Sequence, residues 1–300
     1  MAASTKVAKI SSVFRNRLFK NKVALVTGGG TGIGKAITQE LLYLGCNVMI
    51  ASRKVERLEA AVDEIRTSIP GCQINYTQCN IRQEESVKAM VARTLEEYGK
   101  IDFLVNNGGG QFYSAFRDFN FKGWNAVVET NLTGTYLCLR EVYQQWMKDH
   151  GGAVVNIIAE MFSGMPGMSH SGAARAGVEN LTKTLAVEWA DDGIRINCVC
   201  PGNSIKSETA TANYGPAKSD IFESNLPTIP LGRLGKPEEV SAAVCYLLCP
   251  AASFVTGTTM IVDGGEILFN ARWPTGRDNT KAYSWEDDCE EDNSTPKSKL

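Results

Sequence analysis

The residues with the clearest chemistry lie in Thr27-Gly28-Gly29-Gly30-Thr31-Gly32-Ile33-Gly34, which follows the apolar run Val23-Ala24-Leu25-Val26 and opens directly into a helical pattern. Strand, glycine turn and helix in succession suit a pyrophosphate. Gly28 permits a sharp turn, Gly32 lets backbone N–H groups approach phosphate oxygens, and Gly34 lets the new helix pack closely on its strand. The phosphates then rest on a helix N-terminus, with Thr31 and Ile33 beside them. The same glycines would serve an ordinary tight turn, and it is their place between a buried strand and a helix that favours the nucleotide. A second chemical group follows the next apolar run, Asn47 to Ala51, where Ser52-Arg53-Lys54 offers cations and no acid. A carboxylate there would accept from a ribose 2′-hydroxyl, whereas Arg53 can pair with a 2′-phosphate, so the pattern predicts NADPH.

Such groups need a scaffold that holds several loops at one edge. From Val23 onward short apolar runs alternate with helical patterns, the signature of βαβ units. The expectation is an α/β fold, a doubly wound parallel sheet of the Rossmann type with helices on both faces. At 300 residues and 43% apolar content the chain can bury one large core. One domain is predicted over 21–268, flanked by a frayed basic arm (1–20) and a disordered acidic tail (269–300). The net charge of −2 gives no basic field for nucleic acid, and no apolar run reaches the length of a membrane span, so neither partner is expected. Nine cysteines without a C-x-x-C pair, mostly in apolar runs, read as reduced core thiols of an intracellular protein. His150 and His170 lack metal-binding spacing, and no metal is expected.

Later strands end in further candidates. The strand near Ile74 to Cys79 ends in Asn80-Ile81, and the run Ile101 to Val105 leads into Asn106-Asn107-Gly108-Gly109-Gly110. A glycine-rich loop at a strand's C-terminal end borders the crevice where open α/β sheets bind ligands, although it is often only a loop. Trp124 to His150 reads as one long helix carrying Asn131, and Ser171 to Val178 opens another. The polar segment 203–230 suits a substrate lid. Its cations Lys206 and Lys218, with Arg233 and Lys236 beyond it, either meet phosphates of the substrate or are merely solvated.

Taken together, T-G-x-x-x-G-I-G, N-N-G-G-G, E-T-N-L-T-G-T, R-A-G-V and R-I-N-C-V-C-P-G resemble the short-chain dehydrogenase/reductase family over residues 22–265. The resemblance implies that Asn80 and Ile81 hold the adenine, that Asn107, Gly108 and Gly109 border the cofactor, and that Pro201 and Gly202 border the nicotinamide. It also implies that Asn131 supports the active site. Where the family reads Y-x-x-x-K-A-G-V this chain has Ser171 and Arg175, and Ile158 occupies the usual Ser position.

These replacements select among reactions. Ketone reduction makes a basic alkoxide that needs an acid such as Tyr beside Lys, which Ser beside Arg replaces poorly. Reduction of an enoyl thioester instead places charge on an enolate, which needs hydrogen-bond donors at the thioester oxygen. Asn131 and Ser171 are the expected donors, with Arg175 binding the nicotinamide ribose. A second register, Glu179 and Lys183, lies about 12 Å along the helix from Ser171 at 1.5 Å per residue, and reads more simply as an i, i+4 pair.

Together with this preference, the resemblance implies NADPH-dependent saturation of the C2=C3 bond of trans-2-enoyl-CoA in fatty acid metabolism. An NADPH-binding scaffold without turnover is the alternative, and reduction of 2,4-dienoyl-CoA or of a carbonyl ranks lower. Family members are commonly tetramers, so a homotetramer is expected. The terminal Ser298-Lys299-Leu300 is a receptor-read peroxisomal address, which predicts an import-receptor partner and a peroxisomal location.

Overall fold

The computed structural model describes residues 12, 14–207 and 221–269. Seven strands, β1 (Val23–Thr27), β2 (Asn47–Ser52), β3 (Ile74–Gln78), β4 (Phe103–Asn106), β5 (Gly152–Ile157), β6 (Ile194–Pro201) and β7 (Thr259–Val262), form one sheet in the order β3-β2-β1-β4-β5-β6-β7. Every pairing is parallel. A parallel sheet has both faces covered, and all five residues of β1 are accordingly buried.

The helices divide between the two faces. Helices α1 (Gly32–Tyr43) and α2 (Val55–Ser68), with a later helix at Pro237–Leu248, pack their apolar stripes on one side. Helix α3 (Glu84–Tyr98), the rod 121–150 and helix Ser169–Glu188 cover the other. The strand order reverses between β1 and β4, which opens a crevice at the C-terminal ends of the strands. The doubly wound single domain predicted from sequence is what forms.

The rod departs from the plain helix expected. It starts earlier, at Phe121, and runs as α4 (Phe121–Val128), a π-helical turn (Glu129–Thr133), α5 (Gly134–Val142), a second π-turn (Tyr143–Met147) and a short α6 (Lys148–His150). Each π-turn widens the coil and rotates the side chains it carries, and such turns frequently sit at functional sites. At the first, Thr130 Oγ1 donates to Ala126 O at 2.7 Å and Thr135 Oγ1 to Asn131 O at 2.9 Å.

The frayed arm expected over 1–20 is too long. Phe19 is 1% exposed and meets Phe103 edge-on at 5.2 Å, and its N–H donates to Leu44 O. Burial of an aromatic ring on this scale ties the segment to the core, so the domain begins before residue 21. The tail from residue 270, with Ser298, Lys299 and Leu300, lies outside the described residues. The eight described cysteines are free thiols, and all but the half-buried Cys72 are buried.

Candidate active site

The glycine turn is built as its spacing requires. Gly28 has φ +66° and Gly32 φ +52°, both in the left-handed region. A Cβ at Gly34 would overlap the Gly28 carbonyl and the Asn107 amide, so only glycine lets α1 start this close to β1. Asn107 then locks the turn to β4: its Nδ2 donates to Thr27 O at 3.1 Å and Gly28 O at 3.2 Å. Thr27 Oγ1 accepts from the N–H groups of Asn107 and Gly108 at 3.1 and 2.9 Å.

Above this turn lies a cavity of about 520 Å³, walled by the strand ends on both sides of the crevice. Gly28, Thr31, Gly32, Ile33, Gly34, Ser52, Arg53, Asn80, Ile81, Asn107, Gly108 and Gly109 all line it, so twelve positions proposed from sequence converge on one space. Pro201 and Gly202 close β6 and pack against β7 and Asp263 instead, outside that lining. Lys54 lies beside Arg53 on the wall, and Arg57, in the first turn of α2, adds a third cation that the sequence reading did not single out. A 2′-phosphate suits this corner, and a glycine turn that no Cβ could share with α1 suits a pyrophosphate. The residues present therefore fit a phosphorylated dinucleotide.

Behind the cavity wall sit the three residues proposed for chemistry. Asn131 occupies the first π-turn and is wholly buried. Its Oδ1 accepts from Gly110 N at 2.9 Å, and its Nδ2 donates to Gly110 O at 3.0 Å and to Ser171 Oγ at 3.4 Å. Ser171 opens α7 (Ser169–Glu188) and donates to Gln111 Oε1 at 2.7 Å. Arg175, one turn on, shares that face. Its Nη1 donates to Ile157 O at 2.5 Å while Nη2 crowds Gly109, where a Cβ would overlap it. Burial pushes the Arg175 guanidinium down to about 10, still protonated at neutral pH, and its Nε has no hydrogen-bond partner among the described residues.

This geometry modifies the expected roles. Asn131 and Ser171 are buried and bonded to protein groups, and neither lines the cavity. Gln111, which the sequence did not single out, is the member of the chain Asn131–Ser171–Gln111 that reaches the cavity. The only signal for it was its place directly after the glycine run. Donors in series polarise one another, so a buried Asn and Ser can act through Gln111.

Other candidates resolve as structural. Lys183 pairs with Glu179 at 2.9 Å, and Thr259 Oγ1 donates to the same carboxylate at 3.1 Å. Lys206 pairs with Glu223 at 2.5 Å and Arg233 with Glu239 at 2.6 Å, each a salt bridge within the domain. Of the predicted lid, Ser207 lines the cavity, and Lys218 lies outside the described residues. His170 is buried between Phe112 and Phe119, with ring centroids at 4.4 and 4.9 Å, and burial lowers its pKa.

A parallel sheet in this order, with a glycine turn and a cation-lined cavity at its switch point, defines a dinucleotide-binding fold of the Rossmann type. A family model described as enoyl-(acyl carrier protein) reductase matches residues 28–266. A peroxisomal 2,4-dienoyl-CoA reductase of Danio rerio is 35% identical over 264 residues, covering 88% of this chain and 87% of that protein. A probable 2,4-dienoyl-CoA reductase of Bacillus subtilis is also 35% identical, covering 83% of this chain and 98% of its own length. Among solved structures, a citronellol catabolism dehydrogenase of Pseudomonas aeruginosa is 44% identical with a TM-score of 0.76, covering 86% of this chain and 99% of that one. The chain belongs to the short-chain dehydrogenase/reductase family, and with it to the oxidoreductases.

Proposed function

We propose that the protein uses NADPH to saturate the C2=C3 bond of a trans-2-enoyl-CoA. The observation that carries this reading is the chain Asn131–Ser171–Gln111, which sets a polarised amide at the cavity where a Tyr–Lys acid would otherwise stand. Bound NADPH would supply a hydride to C3 of the thioester. Gln111 would then hydrogen-bond the thioester oxygen as charge moves onto it, and buried Arg175 would keep the site positive while water delivers a proton to C2. Hydride plus proton account for the two hydrogens added. The names of the relatives favour a second reading, reduction of a 2,4-dienoyl-CoA, for which hydride enters the longer conjugated system. NADPH oxidation measured with trans-2-enoyl-CoA, 2,4-dienoyl-CoA and 3-ketoacyl-CoA separates the readings. Turnover of the ketone alone, or of no acyl-CoA, would overturn both.

The cofactor preference rests on Arg53, Lys54 and Arg57 at one corner of the cavity. NADPH should bind at least about tenfold more tightly than NADH, worth about 1.4 kcal/mol. Arg53→Glu should erase or reverse that ratio, since an attractive contact becomes a repulsive one. Equal affinities in the unaltered protein would contradict the assignment.

Location is carried by Ser298-Lys299-Leu300 and supported by the peroxisomal relatives. A fluorescent protein ended by residues 270–300 should enter peroxisomes, and deletion of Leu300 should leave it in the cytosol. Import that survives the deletion would refute the signal. Assembly as a homotetramer remains part of the proposal, and sedimentation of the purified chain tests it.

A further inference from the structure

A second cavity, of about 440 Å³, lies at the opposite edge of the sheet, where the strands begin. It shares no residue with the cofactor cavity. The second π-turn of the 121–150 rod presents Trp146 to it, as the first presents Thr130 to the cofactor cavity. Trp146 carries a stacked partner: the His150 ring lies parallel to the indole, 3.7 Å away and 3° from coplanar. His150 Nδ1 donates to Trp146 O at 2.9 Å, which fixes the ring's orientation while the residue stays exposed.

The charges here are arranged around that platform. Lys22 and Lys100 both reach Asp102, at 2.8 and 2.9 Å, so two ammonium groups share one carboxylate and a positive charge is left over. Carbonyl groups ending the helix Pro237–Leu248 would oppose an anion. Arg195 offsets them by donating to Leu247 O at 2.7 Å and Leu248 O at 3.3 Å. An exposed aromatic face beside a surplus of cations, in an open hollow, suits a planar ring bearing an anion.

We infer that this cavity is a ligand site separate from the cofactor cavity, and that it takes a flat heteroaromatic ring carrying a phosphate, the chemistry of a mononucleotide. The ring stacks on the outer face of His150, and the phosphate meets Lys22 and Lys100. Nothing in this assignment depends on which acyl-CoA the enzyme reduces.

The test uses the full chain saturated with NADPH, titrated calorimetrically with AMP, adenosine and inorganic phosphate in turn. AMP should bind, and more tightly than either fragment, because ring and anion are held together. His150→Ala, which removes the stacking face, and Lys100→Glu, which reverses a charge, should each weaken AMP by about tenfold or more. Both side chains are exposed enough to replace without disturbing the core, and unchanged NADPH affinity checks that the fold is intact. No AMP binding, phosphate binding as well as AMP, or AMP binding unchanged in both variants would overturn the inference. AMP binding lost in Arg53→Glu but kept in His150→Ala would place it in the cofactor cavity and overturn it equally.

Discussion

Asn131→Ala should lower turnover of a 2-enoyl-CoA by about 10²-fold or more while leaving NADPH affinity within a few fold of the unaltered enzyme. The side chain makes no contact with the cavity, so its removal takes no group away from the cofactor. What it removes is a clamp. Two hydrogen bonds between the Asn131 amide and the backbone of Gly110 hold the residue immediately before Gln111, and a third orients Ser171. With the clamp gone the N–H and C=O of half-buried Gly110 lose these partners, and the loop carrying Gln111 is free to shift. A displacement near 1 Å at a transition-state donor is worth about 10² in rate. Gln111→Ala should cost a similar factor because it deletes the donor itself, and Ser171→Ala less, because the Gln111 amide stays in place and loses only the partner that orients and polarises it. Single-turnover NADPH oxidation at saturating substrate checks the order. Full activity in Gln111→Ala would remove the donor from the mechanism, and a parallel loss of NADPH binding in Asn131→Ala would show that the clamp serves the cofactor instead.

The ranking among these residues could not be reached from the chain alone. Glycine positions declare themselves, because a turn that admits no Cβ leaves its mark directly in residue type, and Gly28, Gly32 and Gly34 stand where they were expected. The sheet was legible for a similar reason: strands buried on both faces, such as Val23–Thr27, read as unbroken apolar runs. Arg53 was found because its place after β2 has a fixed meaning. Arg57 was not, because a cation at the third residue of a helix looks like any solvated helix residue until α2 is seen to start at the cavity. The π-turns were illegible too, since one extra residue per turn leaves the apolar pattern of 121–150 nearly unchanged. Yet it is the first π-turn that points Asn131 at Gly110. Phe19 was assigned to a frayed arm because scattered apolar residues among cations carry no period, and only contact with Phe103 reveals it as core.

Arg175→Met should make the protein without cofactor more stable and at the same time reduce turnover by about 10²-fold or more. Arg175 is costly to bury: the residue is 8% exposed, and among the described residues no carboxylate pairs with it and Nε lacks a partner. Burial lowers its pKa from the ordinary arginine value to about 10, in line with that cost. A shift of this size corresponds to roughly 3 kcal/mol, to order of magnitude. The sign follows from proton binding. At pH 7 the folded and unfolded chains both hold the Arg175 proton, so the full penalty is present there. Between about 10 and the ordinary arginine value the unfolded chain binds more protons than the folded one, and the penalty would be released only as pH rises through that window. At working pH, therefore, the charge destabilises the empty enzyme. Methionine fills similar space without the charge but leaves the Ile157 carbonyl unpaired, which returns about 1–3 kcal/mol. The balance should still favour the variant, and thermal unfolding without cofactor should move up. A destabilising charge is retained where function needs it. In the proposed reaction, an enolate formed by hydride addition, and the cofactor itself, are what a buried cation beside Gly109 would stabilise. NADPH should accordingly raise the melting temperature of the unaltered enzyme more than that of Arg175→Met. A variant that melts lower than the unaltered protein in the absence of cofactor would show that Arg175 is held for the fold. One that turns over normally would show that its charge has no part in the reaction.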